Sequence, residues 1–251
     1  MKHMKLLCLS VAAVMMAVML SACGGGASSS KKLTMATNAE FPPFEYLEGE
    51  EVVGADADIA KAIADKLGME LEITNIDFDA ALTGAATGKY DVAIAGITAN
   101  DERKKNMDFS NDYYKASQAI IVTADSEIKT AADLTGKTIS CQEGTTGEQY
   151  LLDENYNIQS FKTGAEAISA LTTGKVDAVV IDNEVAKSLS EKQAGKTVVL
   201  AEALTKENYA IATKKGNTEL VNKINKALDE LKSEGKLAEI FAKYDLPYDA
   251  E

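Results

Sequence analysis

The sequence predicts a two-lobed α/β protein, and three observations predict it. First, segments of strand and helix character alternate along the chain, the pattern of mainly parallel sheets flanked by helices. Second, one helix–turn–strand unit occurs twice. ATGKYDVAIAG at 86–96 aligns without gaps on TTGKVDAVVID at 172–182, and Ala81-Leu82 matches Ala167-Ile168 on the preceding helix. Such a repeat implies two similar lobes. Third, strands at 118–122 and 209–213 read as a passage out of the first lobe and a return to it. Two connecting segments make a hinge rather than a single linker. The expected division is 32–119 plus 211–251 for lobe 1 and 120–210 for lobe 2, with hinge crossings near 118–123 and 207–213.

The chain opens on a processing signal at 1–22. Lys2 and Lys5 are basic, and 6–20 is an apolar run too short and wrongly flanked to span a membrane. Leu20-Ser21-Ala22-Cys23 resembles a bacterial lipobox, which implies cleavage before Cys23 and diacylglycerol on its sulfur. Residues 23–31 then form the lipidated cysteine and a Gly/Ser-rich flexible tether. Cleavage leaves 229 of the 251 residues, enough for one large or two modest domains. It removes His3 and Cys8, leaving Cys23 and Cys141. Without histidine, a Ser-His-Asp triad, a Cys-His pair and a His-ligated zinc site are excluded, and neither metal nor cofactor is expected. The whole chain carries −13, and the loss of two lysines takes the mature part to about −15. So acidic a chain is a poor nucleic-acid binder.

From Leu33 the elements follow in order. Residues 33–37 read as a strand, and Asn38-Ala39-Glu40-Phe41-Pro42-Pro43-Phe44 as the loop at its end, kept out of helix and sheet by its prolines. A short strand at 52–54 precedes a helix at 58–67 with Ile59, Ile63 and Leu67 on one stripe, stopped by Gly68. Residues 71–73 are a strand, Phe78 lies in the following loop, and 79–87 is a helix. In the second half, 138–141 is the first strand, followed by Gln142-Glu143-Gly144-Thr145-Thr146-Gly147 and a helix from about Glu148. Glycines, hydroxyls and a helix N-terminus together suit an anion. A helix at 165–173 leads to the second copy of the repeat. A helix at 183–190, a strand at 198–200, a long helix capped by Asn217-Thr218 and a last helix at 237–244 complete the chain.

The stretch around which these elements gather is TGKYDVAIAGITANDER at 87–103. Its apolar run 92–95 is a strand buried on both faces. Gly96 ends it and allows a close approach, Thr98 adds a hydroxyl and an amide, and Arg103 offers a planar fork of donors. Open α/β sheets bind ligands at such strand ends. In the repeat register Gly96 is equivalent to Asp182. If the lobes face one another, Gly96, Thr98 and Arg103 form one wall of a cleft and Asp182 the other. A cation opposite an anion suits a zwitterion.

At this point the residues resemble a known family. ATNAEFPPFE at 36–45, Phe78, GITANDERKK at 96–105, Asp108-Phe109-Ser110, Gly144-Thr145-Thr146 and Asp182 are similar to the amino-acid-binding proteins of ABC importers, solute-binding family 3. The resemblance covers about 33–248 and is closest to glutamine and basic amino-acid binders. It implies a type II periplasmic-binding-protein (Venus-flytrap) fold, a lipid-anchored extracytoplasmic monomer, a free polar amino acid as ligand and an ABC permease as partner. Arg103 would clamp the ligand carboxylate with donors at Gly96, Thr98 and Thr146, Asp182 would take the ammonium, and Phe41 and Phe78 would sandwich the side chain. Asn38, Gln142 and Thr145 complete the expected site. Asn38 stands where the family often has Asp, and Gln142 where glutamine binders of this kind carry Lys. Glu40, Asp79 and Glu143 are then the candidates to hold a cationic side chain. Two other readings share the scaffold: a cyclohexadienyl-dehydratase-like enzyme with Glu143 or Asp79 as acid, and a sensor presenting its closed form to a membrane signalling partner.

Overall fold

The computed structural model describes residues 31–248. The expected signal segment, Cys23 and the tether through residue 30 lie outside the described residues. The first lobe is built on a five-stranded sheet in the order β5 (Glu70–Asn75), β1 (Lys32–Thr37), β6 (Val92–Ala93), β15 (Ala212–Lys214), β7 (Met107–Phe109). The second sheet has the order β11 (Asn157–Phe161), β10 (Thr138–Gln142), β12 (Ala178–Asp182), β9 (Gln118–Thr123), β13 (Thr197–Val199). In each, the second strand in spatial order lies between two parallel neighbours, and the third meets an antiparallel fourth. The repeat read from the sequence thus occupies equivalent places: Val92 pairs with Met35 as Ala178 pairs with Ile139.

Helices cover the sheets because each has one apolar stripe to bury. In α1 (Ala55–Leu67) the buried stripe includes Ile59 and Ile63, and Gly68 closes it in a left-handed conformation. These residues share a core with Leu33, Met35, Val92 and Ile94 of the first sheet and with Ile224, Leu228 and Phe241 of α7 (Thr218–Ser233) and α8 (Lys236–Lys243). The other face of the same sheet shows small residues, Ala36, Ala93 and Ala95, packed on Phe78, Ala81 and Ala85 of α2 (Phe78–Thr87). Phe78 is therefore the first residue of the helix, not a loop residue. In lobe 2, α5 (Gly164–Thr172) starts with a capping box between Thr163 and Glu166. Its Ala167, Ile168 and Leu171 are buried in the core that also contains Val179 and Ile181.

The crossing between lobes differs from the sequence reading. Residues 118–123 are an interior strand of the second sheet, paired with β12 and β13. The joining ribbon is β8 (Tyr114–Ala116) against β14 (Glu207–Tyr209), with Glu207 opposite Ala116. The strand expected at 209–213 is accordingly broken into β14 and β15. The ribbon is stiffened by rings: Phe44 packs edge-on against Tyr114 and Tyr209 at 4.9 and 5.1 Å between centroids, and Tyr114 lies 5.1 Å from Phe241. The loop at 38–44 is not wholly irregular. β2 (Glu40–Phe41), β3 (Glu45–Glu48) and β4 (Glu51–Val53) form a small antiparallel sheet beside the cleft.

Candidate ligand-binding site

A small cavity lies between the two lobes. Lobe 1 lines it with Asn38, Phe41, Glu45, Phe78, Ala95, Gly96 and Arg103, and lobe 2 with Gln142, Thr145, Thr146 and Asp182. Nine of the ten expected ligand residues are in this lining. The tenth, Thr98, is not. Its hydroxyl donates to Glu207 at 2.6 Å, and its carbonyl accepts from Arg103.

The walls are held together by hydrogen bonds that cross the cleft. Arg103 donates from Nη1 to the Thr98 carbonyl and from Nη2 to the Gly144 carbonyl of lobe 2, each at 3.0 Å. Its guanidinium sits 5.4 Å from the Phe78 ring centre, so the fork is stacked as well as bonded. Gln142 Nε2 reaches Asn38 Oδ1 at 3.0 Å. The Asn38 amide nitrogen donates one of its two hydrogens to the Ile76 carbonyl at 3.2 Å. The buried Gln142 carbonyl oxygen has no protein donor and remains an acceptor at the cavity.

Two glycines make the close approach possible. Gly96 has φ +54°, and a Cβ there would lie 2.8 Å from the Phe41 ring. Gly144 has φ +75°, and its Cβ would fall 2.0 Å from the Asp79 carboxylate across the cleft. Only glycine combines the positive φ with the missing Cβ at these two contacts. Thr145 caps α4 (Thr146–Asp153), accepting from the Glu148 amide at 3.3 Å. The first turn of that helix, with its unpaired amides and positive dipole end, therefore borders the cavity. The amide of Gly144, part of the nest read from the sequence, is taken by Glu148.

Asp182 ends β12 at the position equivalent to Gly96. Its carboxylate accepts from Tyr209 and from Gln118 Nε2, the latter at 2.8 Å. Burial pushes Asp182 up to about 7; Glu207 adds to the rise, and Tyr209, Gln118 and Arg103 oppose it. Burial lowers Arg103, against the pull of Asp182 and Glu207.

Sequence reasoning missed the acids that matter most. Glu40 and Asp79 are exposed, and Glu143 faces Lys162 at 2.6 Å; none of the three lines the cavity. Glu45 does. It is 1% exposed, receives no hydrogen bond from any N–H or hydroxyl, and shares a carboxyl–carboxyl hydrogen bond with Asp56. Burial raises its pKa well above the ordinary range, and Asp56 and Asp182 raise it further. Asp56 is fully buried at the start of α1. It receives the Gly96 amide at 2.9 Å and the Tyr113 hydroxyl at 2.9 Å, and burial raises it to about 6. The amides of Ala55 and Asp56 donate to the Pro43 and Phe44 carbonyls, which pins the start of β3 against the helix and turns Glu45 inward. The only signal in the sequence was position: Glu45 closes the Pro-Pro-Phe-Glu segment that carries the resemblance.

A model of the bacterial extracellular solute-binding proteins, family 3, matches residues 33–247. The chain belongs to this family. Among family 3 relatives, the arginine-binding extracellular protein ArtP of Bacillus subtilis is 34% identical over 96% of this chain and 98% of its own length. The ABC transporter arginine-binding protein 1 of Escherichia coli is 32% identical over 90% of this chain and 96% of its own. A solved structure of an ancestral arginine-binding protein bound to glutamine superposes with a TM-score of 0.81 at 41% identity, over 85% of this chain and 97% of that one. These family 3 proteins are named for binding amino acids, not for catalysis, and the family is extracellular by description. No helix among the described residues is long and apolar enough to cross a membrane.

Proposed function

We propose that this family 3 protein binds a free basic amino acid, arginine foremost, in the interlobe cavity and delivers it to an ABC permease. The observation that carries this reading is the buried Glu45 carboxyl in the cavity wall, which has no cationic partner among the described residues and only the Asp56 carboxyl beside it. An ionised carboxylate without a partner is costly to bury, and a guanidinium satisfies it with two parallel hydrogen bonds. The unpartnered Gln142 oxygen supplies a further acceptor for the same group. Charge balance points the same way. Arg103 is the one cation of the lining, against Glu45 and Asp182, with Asp56 and Glu207 behind them. A ligand with two cationic groups and one carboxylate relieves that excess. Arg103 and the first turn of α4 would take the α-carboxylate, Asp182 the α-ammonium, and Phe41 and Phe78 the aliphatic stem. The names of the relatives, arginine-binding in two species, support the same ligand class.

The test is thermal melting against each of the twenty amino acids. A ligand at 100-fold over its Kd stabilises by about 2.7 kcal/mol. Arginine is expected to give the largest shift, with lysine or histidine next. Glu45→Gln should lose that preference and leave glutamine relatively favoured. A glutamine-led response in the wild type, unchanged by Glu45→Gln, overturns the assignment. As a separate element of the proposal, Cys23 carries the lipid that holds the monomer at the outer face of the cell membrane. Cys23→Ala should release the protein into the medium, and mass spectrometry of the mature N-terminus reads the modification directly.

A further inference from the structure

Glu207 gathers three hydroxyls. Thr98 and Thr146 both donate to its Oε2, at 2.6 and 2.7 Å, and Thr205 donates to Oε1 at 2.7 Å. These groups come from three parts of the molecule. Thr98 follows the strand end of lobe 1, Thr146 opens α4 of lobe 2, and Glu207 lies on the hinge ribbon. One carboxylate oxygen is therefore shared by both lobes. A hydroxyl has a single proton, and Thr98 and Thr146 spend theirs on Glu207. The Thr146 oxygen already accepts from Gln118 Nε2 at 3.3 Å, which leaves it one lone pair for the cavity, and a hydroxyl that donates to an anion is a stronger acceptor. Glu207 is half-buried and absent from the cavity lining, so it acts through the two threonines.

We propose that Glu207 is a positioning residue of the closed state, clasping Thr98 of one lobe to Thr146 of the other and thereby slowing ligand release. The inference rests on the cavity being the ligand site. A carboxylate on the hinge cannot hold both threonines once the lobes part, so the clasp stabilises only the closed form. Such a contact appears in the dissociation rate and leaves the association rate nearly unchanged.

The experiment is stopped-flow binding of arginine to the full chain. Hydrogen bonds to a charged acceptor lead us to expect that Glu207→Ala speeds release by roughly tenfold or more. Association should stay within about twofold, since the encounter precedes closure. Glu207→Gln keeps an acceptor oxygen and should restore much of the slow release. In a Thr98→Val background the effect of Glu207→Ala should shrink, because the two residues share one interaction. A second readout needs no ligand: spin labels at Asn222→Cys and Lys192→Cys, both exposed, report the distance between lobes. Glu207→Ala should lengthen that distance in the ligand-free chain. Unchanged release together with an unchanged label distance overturns the clasp. A wild type that binds no amino acid while Glu207→Ala still opens the lobes overturns the proposed function and leaves the clasp standing.

Discussion

The two lobes share a strand order and an aligned strand, yet they present opposite chemistry to the cavity. In lobe 1 the chain running on from β6 bends at Gly96, whose amide is held by the buried Asp56 and whose missing Cβ admits the Phe41 ring. In lobe 2 the equivalent position is Asp182, a buried carboxylate held by Tyr209 and Gln118. Lobe 1 brings the guanidinium, the two rings and the Glu45 carboxyl; lobe 2 brings the Asp182 carboxyl and a helix N-terminus. The scaffold is duplicated and the site is not. One residue at the end of the same strand decides whether that wall lets a ligand approach or pulls on its charge.

The sharpest way to break this comparison is to remove one charge from each wall. Asp182→Asn and Arg103→Ala should each weaken arginine binding by roughly 2–5 kcal/mol, the usual effect of truncating one partner of a buried charge pair. Calorimetry measures the loss, and circular dichroism should show both folds intact. An effect confined to one wall would mean that only one lobe carries the ligand's backbone.

Next in size is the cleft contact itself. Gly144→Ala sets a Cβ against Asp79 at a positive φ. Strain and overpacking of this kind amount to about 1–3 kcal/mol. Because Asp79 belongs to the other lobe, the loss should fall on affinity, read by calorimetry, more than on the melting temperature of the ligand-free chain.

A third expectation concerns pH. Asp182 is raised to about 7 and Asp56 to about 6, and Glu45 is raised in the same direction. Their surroundings include Arg103, Glu207, Tyr113 and Tyr209. A cationic ligand stabilises the ionised carboxylates, so binding releases protons and affinity rises with pH through about 6–7. The ligand-free protein has the opposite sign at these three acids. Each binds its proton more tightly folded than unfolded, so for Asp182 and Asp56 the contribution to stability is present in full near pH 4 and is lost as pH rises through 6–7. Calorimetry in buffers of different ionisation enthalpy tests the proton release. Affinity that falls between pH 6 and 8 would contradict it.

The smallest expected effect is at Glu143, whose partner Lys162 is exposed and which lies outside the cavity. Glu143→Gln should change arginine affinity by less than about 0.5 kcal/mol. This is the control for Glu45→Gln, the same chemical change inside the cavity. A large effect at Glu143 would revive the reading in which that residue is a functional acid.

Much of this was legible in the sequence because it rests on local physics. The apolar run 92–95, the turn glycines and the repeated TGK segment report strand, turn and duplication without any tertiary knowledge. The Arg103–Asp182 opposition followed from the repeat register alone. Glu45 was not legible, since Glu-Tyr-Leu-Glu reads as an exposed hairpin strand, and only the docking of residues 43–45 on the start of α1 turns its carboxyl inward. The hinge was placed too late for a related reason. Gln118–Thr123 is apolar enough to cross between lobes or to sit inside a sheet, and the pairing with β12 and β13 decides it. Thr98 reads as a ligand group in the sequence; in the fold its hydroxyl donates to Glu207, a pairing no local pattern announces.

Tyr209 ties the cavity wall to the hinge: its hydroxyl donates to Asp182, and its ring packs with Phe44 and Tyr114. The chain has no tryptophan, so its ultraviolet emission comes from tyrosine alone. A phenol held against a carboxylate loses its excited-state proton readily and emits weakly. On the proposed function, a ligand's ammonium at Asp182 would alter that proton path and change the emission of this one of the nine tyrosines with occupancy, an optical gauge that needs no attached dye.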